Sequence, residues 1–350
     1  MVTIRDVARE AGVSVASASR ALNGHDSVTP ATRARIEAAA KQLRYVPHSG
    51  ARSLTSRRSD AIGVVLPDLF GEFFSELIRG IDRVAFDHGL QLLLSNMHGS
   101  PHEASHAVRT MRGRVDGLLV MSPDVHRDGL IDLLGDDIPA VLLNARESLD
   151  RIGSVGIDNA GAAKTMTEHL VECGYRRIAF VAGPRHNRDS AERVAGFRGA
   201  MATLTGERDP IVVPGDYSES SGAEAARLLI AGRVAVDAIF CANDMMAIGC
   251  AGVLADAGIA IGPTIGVAGF DDIPAAHYVE PSLTTMNSRI ADMGAAATEM
   301  LIAMSRDGMP AKAAAPLVLE PQLMRRKSTQ RVADHGPAPV SQSLSTGSLP

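Results

Sequence analysis

The chain lacks several features that mark particular classes of protein. It has no tryptophan and only 3% aromatic residues, although 45% of its residues are hydrophobic. This balance is typical of a helix-rich α/β protein whose core is built from alanine, leucine and valine. No hydrophobic run approaches the roughly eighteen residues that a membrane span requires. The sequence therefore predicts no contact with a membrane.

Cysteine is also scarce. The three cysteines, Cys173, Cys241 and Cys250, have no paired spacing typical of a metal site, and an odd number fits a reducing compartment. The first residues, MVTIRDVARE, carry charges and lack the apolar stretch of a signal peptide. These features predict a cytoplasmic protein without a metal or other cofactor.

The net charge of −5 conceals an asymmetry along the chain. Residues 1–60 contain ten lysine or arginine residues and five acidic ones, whereas the rest of the chain has 25 basic and 35 acidic residues. A small basic head on an acidic body indicates that only the head meets a polyanion. From charge alone, chance clustering is the alternative.

Residues 1–46 have the pattern of three short helices. Thr3, Ser14 and Thr29 each precede an apolar pattern with helical spacing and can cap a helix, and Gly12 separates the first two. Two short helices joined by a tight turn that contains glycine predict a helix-turn-helix unit.

From Ala61 the sequence alternates between β-rich runs and helical patterns. The runs are AIGVVLP, LQLLLSN, VDGLLVM, PAVLLN, RIAFVAG, IVVPGD, DAIFCAN and IGVAGFD. Such alternation predicts parallel sheets with helices on both faces. We expect two similar halves divided near 158–161, with ligand groups at the carboxyl ends of the strands. Residues 328–350 lack periodicity, which predicts a disordered tail.

Several segments resemble one family, the lactose/galactose repressors (LacI/GalR). TIRDVAREAGVSVASASRALNG and VTPATRARIEAAAKQLRYVPHSGARSL are similar to its DNA-binding head, and ERVAGFR, FCANDMMAIG and GFDDIP to its effector-binding body. The resemblance implies an α/β protein with an all-α helix-turn-helix head and a periplasmic-binding-protein-like body of two doubly wound parallel-sheet subdomains. It implies a head at 1–46, a hinge helix or linker at 47–60 and a body at 61–327, with crossovers near residue 288.

The resemblance assigns the second helix of the head to DNA recognition. It places Val15, Ala16 and Arg20 against base edges, where Arg20 can donate two hydrogen bonds to guanine. The same helix start offers short hydroxyl donors for phosphate oxygens, namely Ser14, Ser17 and Ser19. From spacing alone, Val15 could instead pack in the core, and Arg20 could be a solvated charge.

The segment HSGARSLTS resembles the hinge helix of the family. Leu54 matches the leucine that wedges into the minor groove, and Arg52 is placed to contact the DNA backbone. His48 stands where the family usually has asparagine, so the capping of this hinge departs from the family pattern. An ordinary basic linker is the alternative.

The resemblance also implies an effector pocket between the two halves. Its polar groups would be Arg193, Asn243 and Asp271 from the second half and Asn144 from the first. Its apolar or aromatic walls would be Phe74 and Tyr217. This combination suits a polyhydroxylated ligand. Asn243 and Asp271 could instead cap turns at strand ends, and Arg185 and Asp189 could line the pocket or form a surface salt bridge.

Two other motifs carry alternative chemistry. His102 to His106 match the HExxH pattern of zinc proteases, but Ser100 and the three residues after it, which end in a capping-box Glu103, are typical of a helix start. GIDNAGAAKT resembles a phosphate loop only loosely, because two residues separate Gly161 from Lys164. Neither motif predicts an enzyme.

The sequence thus predicts a DNA-binding transcription regulator, in particular a repressor, that is not an enzyme. We expect a homodimer that binds pseudo-palindromic operator DNA and a small effector, with a sugar or sugar derivative expected first. A purine, a nucleoside or a phosphorylated metabolite is the alternative effector. A solute-binding protein is the alternative class, although the basic head argues against it.

Overall fold

The computed structural model describes most of the chain, namely residues 2–23, 27–45, 59–98, 100–121, 129, 134, 138–146, 151–232, 235–307 and 315–331. Most of the predicted hinge, including Arg52 and Leu54, lies outside the described residues. Within these ranges, no helix is both long enough and apolar enough to span a membrane.

The head is the predicted set of three helices, α1 (Ile4–Glu10), α2 (Val15–Leu22) and α3 (Pro30–Gln42). Ser14 Oγ accepts from the Ser17 amide at 3.1 Å, and this N-cap sets the start of α2. Apolar side chains from all three helices form a small core, in particular Val7, Ala18 and Ile36. The helix-turn-helix prediction is confirmed.

The first half of the body is built on a parallel sheet of six strands. Their bounds are β1 (Ala61–Leu66), β2 (Gln91–Asn96), β3 (Gly117–Val120), β4 (Ala140–Leu143), β5 (Gly153–Ile157) and β11 (Leu317–Leu319). The order across the sheet is β11-β5-β4-β3-β1-β2. The helices described in this half are α4 (Glu72–Asp87), α5 (Pro101–Met111) and α11 (Ile290–Asp307).

The second half has a smaller parallel sheet with the order β7-β6-β8-β9. Its strands are β6 (Ile178–Val181), β7 (Val212–Val213), β8 (Ala238–Cys241) and β9 (Gly266–Ala268). Its helices are α6 (Asn159–Glu172), α7 (Arg188–Leu204), α8 (Glu219–Ala231), α9 (Asp244–Asp256) and the short α10 (Ala275–Tyr278). Phe180, Phe197 and Phe240 pack together in its core.

The described chain passes between the two halves at three places. The first lies between Ile157 and Asn159, where the division was expected, and the second leads from β10 (Thr285–Asn287) into α11. The third leads from β11 to β12 (Gln322–Met324), which pairs antiparallel with β10. The sequence prediction did not include this third passage.

The expected boundary between the body and a tail at 328 needs correction. Residues Lys327–Thr329 form a 3-10 helix, and Ser328 and Thr329 are buried. Ser328 Oγ donates to the Val267 carbonyl at 2.6 Å and accepts from the Thr284 amide at 2.8 Å. The body therefore extends at least to Arg331, whose guanidinium lies over the Tyr175 ring. Residues 332–350 lie outside the described part.

Candidate functional site

A cavity of about 650 Å³ lies between the two halves. It opens at the carboxyl ends of strands from both sheets, where parallel α/β folds place their ligands. All six residues predicted for the effector pocket line it, namely Phe74, Asn144, Arg193, Tyr217, Asn243 and Asp271. The structure thus brings together side chains that lie far apart in the sequence.

Arg193 on α7 is the buried cation of this cavity, with only 4% of its surface exposed. Its Nε donates to Asn159 Oδ1 at 2.8 Å, and Nη1 donates to the carbonyl of Ala242. The guanidinium carbon lies 3.7 Å from the centre of the Phe270 ring. These contacts fix the plane of the guanidinium, and Nη2 donates no hydrogen bond to a residue that the structure describes.

Asp271 follows β9 and lies 3.7 Å from Arg193 Nη1 through its Oδ1. Its backbone has φ of 115°, a conformation that L-residues rarely adopt. Burial raises the pKa of Asp271 to about 7, although the positive charge of Arg193 lowers it. The cavity therefore holds a carboxyl group that changes charge near neutral pH.

Asp189 is a site residue whose role the sequence left open. Its carboxylate accepts from Asn159 Nδ2 at 3.1 Å and from Asn144 Nδ2, and Asn144 belongs to the other half of the body. Burial raises the pKa of Asp189 to about 6. The Oδ1 atom of Asn144 is buried without a partner among the described residues. Arg185, the other candidate in this loop, is exposed and does not line the cavity.

A second contact joins the halves at the cavity. Glu72, the first residue of α4, accepts from the Ala275 amide of the second half through Oε2 at 2.8 Å. Together with the pair Asn144 and Asp189, this contact holds the two lobes close. A ligand that displaces or completes these contacts can change the angle between the halves.

Asn243 and Tyr217 are held by the protein as well as facing the cavity. Asn243 Oδ1 caps α9 by accepting from the Met246 amide at 3.0 Å, and Nδ2 donates to the Tyr217 carbonyl at 2.9 Å. The Tyr217 hydroxyl donates to Asn187 Oδ1 at 3.1 Å, so the ring is fixed as a wall. Asn243 thus both caps a helix and lines the cavity.

The recognition helix α2 presents the predicted face. Val15 is 43% exposed, so the alternative that it packs in the core is wrong. Ala16 and Arg20 are also exposed, and Arg20 Nε donates to the Ala16 carbonyl at 3.3 Å. Ser17 and Ser19 are half-buried, and Ser19 Oγ accepts from Asn23 Nδ2 at 3.3 Å. An exposed apolar surface and an exposed guanidinium are therefore available to a DNA groove.

The two alternative motifs form ordinary helix starts. Ser100 Oγ accepts from the Glu103 amide at 3.5 Å, and the exposed His102 side chain lies 3.5 Å from Glu103. Asp158 caps α6 by accepting from the Gly161 amide at 3.2 Å. In the described part of the chain, no three His, Cys, Asp or Glu side chains are grouped so as to hold a metal ion.

Two family profiles match the chain. The profile for bacterial regulatory proteins of the lacI family matches residues 3–48, and that for a periplasmic binding protein-like domain matches residues 167–329. Catabolite control protein A of Priestia megaterium is 36% identical over 304 residues, which cover 86% of this chain and 91% of that protein.

Solved structures of the same architecture match most of the chain. The lac repressor dimer bound to operator and the anti-inducer ONPF has a TM-score of 0.82 and 27% identity, and the match covers 94% of this chain and 99% of that one. The complex of the transcriptional regulator CelR with cellobiose has a TM-score of 0.68 and 32% identity, with 94% and 100% coverage.

Proposed function

Because the chain belongs to the lacI family of bacterial regulatory proteins, we propose that it represses transcription as a cytoplasmic homodimer whose operator binding is controlled by a carbohydrate. The observation that carries this proposal is the cavity between the halves. It combines a fixed guanidinium, several carboxyl groups and side-chain amides with aromatic walls. These are the groups that hydrogen-bond vicinal hydroxyls and cover the apolar face of a sugar ring.

The relatives support a carbohydrate effector. The CelR structure holds cellobiose, and the lac repressor structure holds operator DNA together with an anti-inducer. Both proteins share the two-lobed body of this chain over nearly its full length. We infer that the cavity of this chain binds its effector through Arg193, Asn144 and Asp271.

On DNA, we assign base contacts to Val15, Ala16 and Arg20 and phosphate contacts to the serines of the same helix start. An isologous dimer presents two such helices to successive major grooves, so its operator is pseudo-palindromic. Leu54 and Arg52, as sequence-based assignments, would contact the minor groove and the backbone at the centre of the operator. Opening or closing of the halves would change the spacing of the two hinges and thereby the affinity for DNA.

Selection of binding sites from random DNA, followed by fluorescence anisotropy, tests this function. We expect a palindromic consensus that binds with a Kd on the order of 10⁻⁸–10⁻¹¹ M and weakens steeply with salt. At least one member of a saccharide panel should then change this Kd. A consensus without two-fold symmetry would contradict the DNA assignment. Operator affinity that no saccharide changes would contradict the effector assignment.

A further inference from the structure

We propose that the cavity selects an uncharged saccharide of two linked rings and rejects phosphorylated or carboxylated sugars. This inference rests on the proposed function, because it names the kind of carbohydrate that the same site takes. Its basis is the arrangement of helix ends, charges and aromatic rings around the cavity.

Helix N-termini are the usual anion sites of this kind of fold, because their free amides and dipoles attract negative charge. Four long helices of the described structure, α4, α7, α8 and α9, begin at the cavity. All four ends already have an acidic residue in the first turn, namely Glu72, Asp189, Glu219 and Asp244. The dipoles that would attract a phosphate are therefore compensated by the protein itself.

At three of these helix ends a side chain also caps one backbone amide, whereas α4 starts after Gly71 without a side-chain cap. Asn187 Oδ1 accepts from the Ser190 amide at 2.9 Å, and Ser218 Oγ accepts from the Ser221 amide at 3.1 Å. Asn243 caps α9 in the same way. A phosphate at any of these three ends would compete with the side-chain cap for that amide.

The charged residues that line the cavity also disfavour an anionic ligand. Arg193 is the one lysine or arginine among the described lining residues. Its guanidinium already interacts with Asp271, with Asn159 Oδ1 and with the Ala242 carbonyl. The acidic lining residues are Asp68, Glu72, Asp189, Asp216, Glu219 and Asp271. These acidic side chains would repel a negatively charged group on a ligand. The hydroxyl groups of a neutral sugar, in contrast, could donate hydrogen bonds to them.

The volume of the cavity is larger than that of a single sugar ring. A hexose occupies about 200 Å³ at the packing density of organic crystals, and the cavity measures about 650 Å³. Its buried end holds Arg193 and Asp271, whereas the lining residue Phe70 is 81% exposed and Phe73, which also lines the cavity, is half-buried. An exposed aromatic ring at the rim suits the apolar face of a second sugar ring.

Isothermal titration calorimetry on the full chain at pH 8 tests this selectivity. The ligands are a panel of neutral disaccharides, their component monosaccharides and the 6-phosphates of both. We expect one disaccharide to bind at least about tenfold more tightly than its monosaccharides and about a hundredfold more tightly than its phosphate. A phosphorylated sugar that binds as tightly as the neutral one would overturn the charge argument, and equal binding of a monosaccharide would overturn the size argument.

A charge variant separates electrostatic selection from shape. Glu219→Gln should strengthen binding of the phosphorylated sugar relative to the neutral disaccharide by about threefold to tenfold, because a carboxylate that repels the phosphate is removed. This gain should shrink at high salt. The matched control, Glu224→Gln, removes the same charge from an exposed position of α8 outside the cavity. It should change the affinity for neither ligand. If no saccharide of any kind binds, the proposed function fails together with this inference. If saccharides bind but Glu219→Gln behaves like the control, only the charge-selection mechanism fails.

Discussion

Arg193 and Asp271 illustrate what single side chains contribute to this site. Both are nearly fully buried. Each is positioned by hydrogen bonds within the protein, Arg193 to Asn159 and Asp271 from Ser288, so neither depends on a ligand for its position. A buried ion pair of this kind contributes little net stability, because desolvation of both groups offsets their attraction. Its value lies in a fixed guanidinium and a carboxyl group that face one cavity.

The head offers a direct test of base recognition. Arg20→Ala should weaken binding to the selected operator by about 1–3 kcal/mol, because a bidentate contact to guanine is lost, and it should relax the preference at one G·C pair in each half-site. Arg35→Ala is the control, because it removes the same charge from the exposed face of α3. Binding assays on operator variants measure both effects. If both variants lost the same operator affinity, and lost it equally for all operator sequences, Arg20 would contact phosphates and not bases.

The raised pKa of Asp271 makes stability depend on pH. The folded chain keeps this proton up to about pH 7, whereas an aspartate of the unfolded chain loses it near pH 3.8. The folded state therefore binds more protons between these values, and stability falls as pH rises through this window. Asp271→Asn removes this titration, so its melting temperature relative to wild type should be higher at pH 8 than at pH 5. A relative melting temperature that is the same at both pH values would contradict the assignment.

The sequence anticipated residues whose role depends on local chain geometry, and it was less informative where distant segments meet. The caps Ser14 and Thr29 were predictable, since a cap needs only the next three residues. The partner of Asp189 lies 45 residues away in the other half, so a surface salt bridge and a pocket position were equally compatible with the loop sequence. The family resemblance, not periodicity, supplied the six pocket positions.

Among the helices, α4 and α11 pack closely through glycine. A side chain at Gly80 would clash with the Ala291 carbonyl, and one at Gly294 would meet the Leu77 carbonyl at 2.5 Å. Such contact of two backbones allows no added methyl group without movement of a helix. The start of α4 carries Glu72 and the wall residue Phe74, so this packing also fixes one side of the cavity.

Two glycine substitutions with opposite outcomes test this packing. Gly80→Ala should lower the free energy of unfolding by about 1–3 kcal/mol, because the new methyl group overlaps the Ala291 backbone. Gly199→Ala lies in α7, where a methyl group meets nothing within 4 Å, and should raise stability by about 0.5–1 kcal/mol through helix propensity. Denaturant unfolding of both variants gives the comparison. Stabilisation by both would show that α4 and α11 are not in close contact.

The molecule as a whole depends on segments that return late in the sequence. Strand β11 extends the first sheet, β12 pairs with β10, and the 3-10 helix after it closes the second half. The β-rich runs predicted the alternating strands of both halves. They did not predict this return, because β11 and β12 have three residues each and their partners lie elsewhere in the chain. The same long-range contacts bury Ser328 and Thr329.

Two truncations separate the body from the tail. Removal of residues 332–350 should leave the melting temperature, the dimer and operator affinity unchanged, because its prolines and glycines cannot sustain a coiled-coil seam. Removal of residues 327–350 also deletes Ser328, Thr329 and Arg331 and should lower the melting temperature by several degrees. Light scattering and thermal melts measure both. A tetramer that becomes a dimer in the shorter truncation would contradict this account of the tail.

We propose that a ligand held between the two halves controls DNA binding by the head. Fluorescence anisotropy on the selected operator, with and without the best saccharide, tests it most directly when wild type and Arg193→Ala are compared. We predict that the saccharide changes the Kd of the wild type for operator at least about tenfold, whereas Arg193→Ala keeps its ligand-free Kd and loses the response. A saccharide that binds the body but leaves operator affinity unchanged, or a normal response in Arg193→Ala, would contradict the account.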